Sequence, residues 1–167
     1  MKKKISQDYR FCEHYYVVYI TSRLLDYQFS WALNNHAKVN FKKLQELKVY
    51  QPKTAEYLPY SLYGWVSPNA IDYFLITSLE KSEMLSSETF LLIEKRERKE
   101  TVDRFIEKMS SSEFVFSIEA ISSNISITTP KQRHFVEQIN NISFDLELHL
   151  GKLREKPKYQ PQPKEKQ

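Results

Sequence analysis

The 167-residue chain holds only two glycines, Gly64 and Gly151, where ordinary usage of about 7% would give roughly 12. Loops that cradle phosphates need several glycines, because the backbone must approach the ligand closely and reach positive φ. Two isolated glycines therefore exclude a P-loop or a dinucleotide-binding turn. One cysteine, Cys12, excludes an internal disulfide and any multi-cysteine zinc or iron–sulfur site. Long apolar runs are also missing. The basic start Met1 to Lys4 leads into Ser6, Gln7, Asp8, Arg10 and Glu13, and the longest runs, Phe74-Leu75-Ile76 and Phe90-Leu91-Leu92-Ile93, fall far short of a membrane span. A cytoplasmic protein without a membrane partner is expected.

Charge of one sign is scarce in the body of the chain. The formal net charge is +4, but residues 152–167 carry all of it, and residues 1–151 sum to zero. Without Lys2, Lys3 and Lys4 the body from residue 5 to 151 stands at −3. The basicity is thus a property of the two ends, which weakens a nucleic-acid reading of the whole.

What is present is aromatic and β-branched. His14 to Thr21 reads as a first strand. Ser22 is placed to cap a helix after it. Leu25, Phe29, Leu33 and Ala37 recur every four residues, which predicts an amphipathic helix over Leu24 to Ala37, with Trp31 and Ala32 alongside. Val39 to Leu44 suits a short strand, and Gln51 to Tyr57, with Pro52 and no period, reads as a loop. Leu58 to Val66 and Ala70 to Thr77 flank the turn residues Ser67-Pro68-Asn69 and read as a hairpin. Gly64 within it marks a bulge or a close approach. Thr89 to Lys95 is another strand. Arg96 to Ser111 is a second helix, with Val102, Phe105, Ile106 and Met109 on its apolar face, and Phe114 to Ile121 alternates as a strand. Thr129 and Pro130 are a helix cap and first turn. From Phe135 two readings stand. Phe135, Ile139, Ile142, Leu146, Leu150 and Leu153 fit a helix, whereas residues 142–150 alternate as a strand, and Asn140-Asn141 favour a break.

Asp26, Tyr27, Trp31, Leu33 and Asn34 form a D-Y-x-x-x-W-x-L-N pattern that resembles the helix of the IPExxxVDY family of small Bacteroidetes proteins. Ser61-Leu62-Tyr63 and the run Asp72-Tyr73-Phe74-Leu75-Ile76-Thr77-Ser78 are similar to the hairpin of that family. The likeness covers roughly residues 10–125. Aligned without gaps, the motif that names the family falls on Lys81-Ser82-Glu83 and Ser87-Glu88-Thr89, where Glu83 is retained and Glu88 keeps an acid. No activity is assigned to the family, so the resemblance implies no catalytic role.

Candidate chemistry is sparse. His134 and Glu137, three apart on a helix, could touch one metal ion, but no partner set completes a site. Cys12 and His14 would share a face if both lay on a strand, the geometry of a nucleophile and its base, yet nothing supplies an oxyanion site. His36 ends a helix, where an imidazole meets solvent or the terminal carbonyls. Asp72, inside a strand, is expected on the polar side of the hairpin. Tyr63 and Trp65 share one face of the hairpin and Leu58, Tyr60 and Leu62 the other. One face must pack on helices, and the other could present aromatics to a partner or stack unpaired bases.

The expectation is an α+β fold: an antiparallel or mixed sheet with two main helices packed on one face, and an extra C-terminal helix or strand. Residues 1–153 form a single domain, and 154–167, rich in Lys, Pro and Gln, a disordered basic tail. The expected function is non-catalytic protein interaction, self-association included, through a surface at Tyr63 and Trp65 with Trp31 in the core. The alternative is an RNA-binding accessory protein using the aromatic hairpin and the basic ends. No cofactor, metal or small-molecule site is expected.

Overall fold

The computed structural model describes residues 10–80, 87–121 and 127–151. The basic ends and Glu83 lie outside these residues. In chain order, a 3-10 turn (Phe11–Glu13) precedes β1 (Tyr15–Ser22), α1 (Asp26–Ala37), β2 (Lys42–Lys43), β3 (Leu47–Gln51), β4 (Glu56–Val66), β5 (Asp72–Ser78), β6 (Ser87–Glu94), α2 (Lys99–Ser110), β7 (Val115–Ile121) and α3 (Pro130–His149). The seven strands form one sheet in the order β2-β4-β5-β6-β1-β7, with β3 also beside β4, and every pairing is antiparallel. The fold is α+β.

The residues explain the layering. Strands β5 and β6 are buried along nearly their whole length, so their unbroken apolar runs reflect a sheet covered on both faces. On one face Val18, Ile20, Tyr63, Leu75, Leu91 and Ile93 pack against Phe29 and Leu33 of α1 and Val102 and Met109 of α2. These are the two helices expected on a shared face. The opposite face, including Val17, Leu62, Phe74, Ile76 and Leu92, packs against Ile139, Ile142 and Leu146 of α3.

Helix α3 resolves the open reading of residues 142–150 in favour of a helix, and Asn140-Asn141 do not break it. The Asn140 side chain instead accepts the Phe11 amide at 2.9 Å. The helix starts as expected: Thr129 Oγ1 accepts from the Gln132 amide at 3.1 Å, and Gln132 Oε1 accepts from the Thr129 amide at 3.1 Å. Between Asn141 and Glu147 every residue is buried, so this stretch has no polar face.

The 51–57 segment departs from expectation. Gln51 ends β3 and Glu56 begins β4, so only residues 52–55 turn. Strand β3, which was not expected, continues the edge of β4 that β2 begins, and between them the Leu44 amide donates to Leu62 O at 2.8 Å. The Ser67–Ile71 turn closes the β4–β5 hairpin as expected, with the Ser67 amide donating to Ile71 O at 2.9 Å. Gly64 introduces no register shift and marks a close approach. A Cβ there would lie 2.7 Å from Leu44 Cδ1. The scarcity of glycine has a backbone cost: Lys38, Ala55 and Ala70 adopt the left-handed region, with φ of 57°, 55° and 62°.

Candidate functional site

Helix α1 is held at three places, and these fix which of its faces meets solvent. At its start Ser22 Oγ accepts from the Leu24 amide at 3.1 Å and donates to Phe114 O at 2.6 Å, while Gln28 Oε1 accepts from the Leu25 amide at 3.0 Å. Leu25 has no side-chain acceptor, so Gln28 provides the cap contact at this end. Along one flank, His36 Nε2 lies 2.8 Å from Lys108 O of α2. Along the other, Asn34 clamps the Phe41 backbone, with Oδ1 accepting from the Phe41 amide at 2.7 Å and Nδ2 donating to its carbonyl at 3.0 Å.

Phe29, Leu33 and Ala37 then face the sheet. Trp31 follows Phe29 by two residues, about 200° around the helix, and points outward with 70% of its surface exposed. Tyr27, one turn earlier, is 57% exposed, and Leu25 at the cap is exposed too. The expectation that Trp31 belongs to the core is therefore corrected. Phe29, Leu33 and Ala37 already fill the inward stripe, and no room remains for an indole.

Tyr63 and Trp65 require the opposite correction. They lie on the sheet face that α1 and α2 cover. Tyr63 is only 7% exposed. Trp65 is half-buried among aromatic rings, with centroids 5.8 Å from Phe41, 4.6 Å from Tyr73 and 6.3 Å from Phe105. The hairpin presents no open aromatic platform at these two residues.

Other family-like positions have structural duties. Leu33 is core, and Asn34 is the clamp on Phe41. Asp26 is half-buried near Tyr63, whose phenol is pushed above its ordinary pKa by burial and then by the Asp26 charge. The amide of half-buried Asp72 donates to Glu94 Oε1 at 3.0 Å, and Tyr73 is buried. Among the described residues of the pattern, Tyr27 and Trp31 are the two large side chains that are mostly exposed.

The catalytic candidates do not assemble. Cys12 lies in the 3-10 turn and not on a strand, so strand geometry does not align it with His14. His14 Nδ1 sits 3.3 Å from the buried Glu147 carboxylate. His134 and Glu137 are both exposed on α3. Among the described residues no group of three or more His, Cys, Asp or Glu side chains is placed to hold a metal ion.

Sequence reasoning missed the buried carboxylates. Glu97 accepts from the Tyr73 phenol at 2.9 Å, and Asp145 Oδ2 accepts from the Tyr50 amide at 2.8 Å. Their burial depends on which distant strand or helix lies opposite, and no spacing along the chain announces that. A comparison with known proteins adds no relative: no family model, no curated protein and no solved structure matches the chain.

Proposed function

We propose that this chain is a non-catalytic protein-interaction module of the bacterial cytoplasm, and that its contact surface is the outer face of α1, with Trp31 as the anchor. The observation that carries this reading is the 70% exposure of Trp31 beside Tyr27 on a helix whose inward face is fully packed. Exposed tryptophan and tyrosine four residues apart fit a helix face that docks into an apolar cleft, and such aromatics dominate binding energy at interfaces. The cytoplasmic assignment rests on the single cysteine, and the bacterial one on the resemblance to the IPExxxVDY family in α1 and the hairpin.

The size of the patch selects the kind of partner. An aromatic side chain buries about 150–250 Å² at most, so Tyr27 and Trp31 together offer roughly 250 Å². A stable interface takes about 800 Å² from each side. A transient contact with a different protein that supplies a cleft fits this area better than an obligate homodimer.

Affinity capture from the native cell, run with the wild type, a Trp31→Ala/Tyr27→Ala double variant and a Phe116→Ala control, tests the reading. A partner held by the wild type and by the control, and lost from a folded double variant, is the expected result. Equal capture by all three overturns it. Sedimentation velocity separates self-association. Retention of single-stranded RNA that disappears on substituting Trp31 would replace the protein partner with a nucleic acid.

A further inference from the structure

A cavity of about 320 Å³ opens between α2 and strands β1 and β7, remote in sequence from the aromatic face of α1. Its origin lies in the strand register. Val18 and Ala120 sit opposite each other in the β1–β7 pair, and Tyr16 is two residues before Val18 and so shares its face. One step earlier in this ladder Ile118, opposite Ile20, packs against the core. The small Ala120 follows Ile118 along this face and lines the cavity beside Val18. Val102 and Ile106 of the helix become the far wall.

The rim is charged unevenly. Lys99 and Asp103 pair with each other at 3.1 Å and cancel. Lys95 is exposed and holds its ammonium 4.2 Å from the centroid of the Tyr16 ring. Among the described residues it pairs with no carboxylate. The site therefore combines apolar surface from Val18, Val102, Ile106 and Ala120 with polar surface in nearly equal measure, and among the described residues Lys95 is the cation at its mouth without a carboxylate partner. Its volume holds roughly ten water-sized units of about 30 Å³, at the lower end of the range of small-ligand pockets.

We propose that this cavity binds a medium-chain aliphatic monocarboxylate, with the chain between Val102, Ile106 and Ala120 and the carboxylate on Lys95. One negative charge on an apolar body is what the rim and the lining together complement. A second negative charge would find no further unpaired cation among the described lining residues, and a body without an apolar chain would leave Val102 and Ile106 uncovered.

Octanoate, octanol and acetate serve as probes in an amide-resolved NMR titration of the full chain. Octanoate at up to about 10 mM is expected to shift Val18, Val102, Ile106 and Ala120, octanol to bind about tenfold more weakly, and acetate to leave these signals in place. Lys95→Met should equalise octanoate and octanol. Ala120→Trp, a change at an exposed edge-strand position, should abolish both. No shift at these residues, equal binding of octanoate and octanol by the wild type, or undiminished binding by a folded Ala120→Trp protein overturns the proposal. If Ala120→Trp does not fold, the Lys95→Met comparison alone decides.

Discussion

Tyr73 of β5 donates its phenol to Glu97 at 2.9 Å, and both side chains are buried. The second oxygen of Glu97 accepts from the Arg98 amide at 3.0 Å, at the start of α2, where Arg98 supplies no side-chain cap of its own. One carboxylate thus joins a central strand to the positive end of a helix. The Tyr73 ring also meets Trp65 and Phe105, so the hydrogen bond orients the aromatic group that packs α2 on the sheet.

Removing that phenol should be costly. Tyr73→Phe keeps the ring and leaves the buried Glu97 carboxylate short of a donor, a loss of about 1.5–3 kcal/mol for a hydrogen bond to a charged group. Urea unfolding of the variant should show a lower midpoint with an unchanged slope. A midpoint equal to that of the wild type would mean that the carboxylate finds another donor.

Alkaline pH should unfold the protein through its tyrosines. Burial, and then the Glu97 hydrogen bond and charge, raises the Tyr73 pKa, and burial followed by Glu88 does the same for Tyr19. Tyr60 and Tyr63 are also raised, chiefly by burial. The unfolded chain ionises its phenols near about pH 10, so there it releases protons that the folded state retains. The stability these groups contribute is complete below that pH and is lost as pH rises towards the folded pKa values. Thermal melting followed across this range, with near-ultraviolet phenolate absorbance recorded in parallel, should show a falling Tm and late phenol ionisation that coincides with unfolding.

The left-handed residues are places where glycine should help. Ala70→Gly and Lys38→Gly remove a Cβ from a region that costs an L-residue about 1–2 kcal/mol, and the flexibility gained by the unfolded chain offsets part of that. A net gain of up to about 1 kcal/mol is expected at each. Ala32→Gly, within α1, should lower stability by about 1 kcal/mol. Chemical denaturation of the three variants checks both signs.

Neighbouring positions on α1 should behave in opposite ways. Leu33→Ala empties a fully buried site and should cost about 2–5 kcal/mol. Trp31→Ala removes a larger side chain from solvent and should stay within about 0.5 kcal/mol of the wild type. A large loss for Trp31→Ala would place the indole in a packing role and weaken its assignment to partner contact.

The sequence by itself determined every strand but β3, the first two helices, the β4–β5 hairpin and the cap at Thr129. Each of these comes from period, turn chemistry or capping within a few residues. The same local rules left residues 142–150 of α3 open between helix and strand, and the reason is physical. Asn141, Ser143, Asp145 and Glu147 alternate with Ile142, Phe144, Leu146 and Leu148, which imitates a strand. All four polar residues are nonetheless buried in a helix. Asp145 receives the Tyr50 amide of β3 and Glu147 meets His14, so polar residues that usually mark a wet face are satisfied inside.

Trp31, Tyr63 and Trp65 divide along the same line. Tertiary structure alone decided which aromatics are covered, because it decided that α1 and α2 lie over the Tyr63 face while α3 takes the other. Aromatic content is a property of the chain, whereas exposure depends on what packs opposite. The scarcity of glycine belongs to both levels: it excluded the phosphate-cradling loops from the sequence, and in the folded chain it leaves Lys38, Ala55 and Ala70 to make left-handed turns that glycine makes without strain.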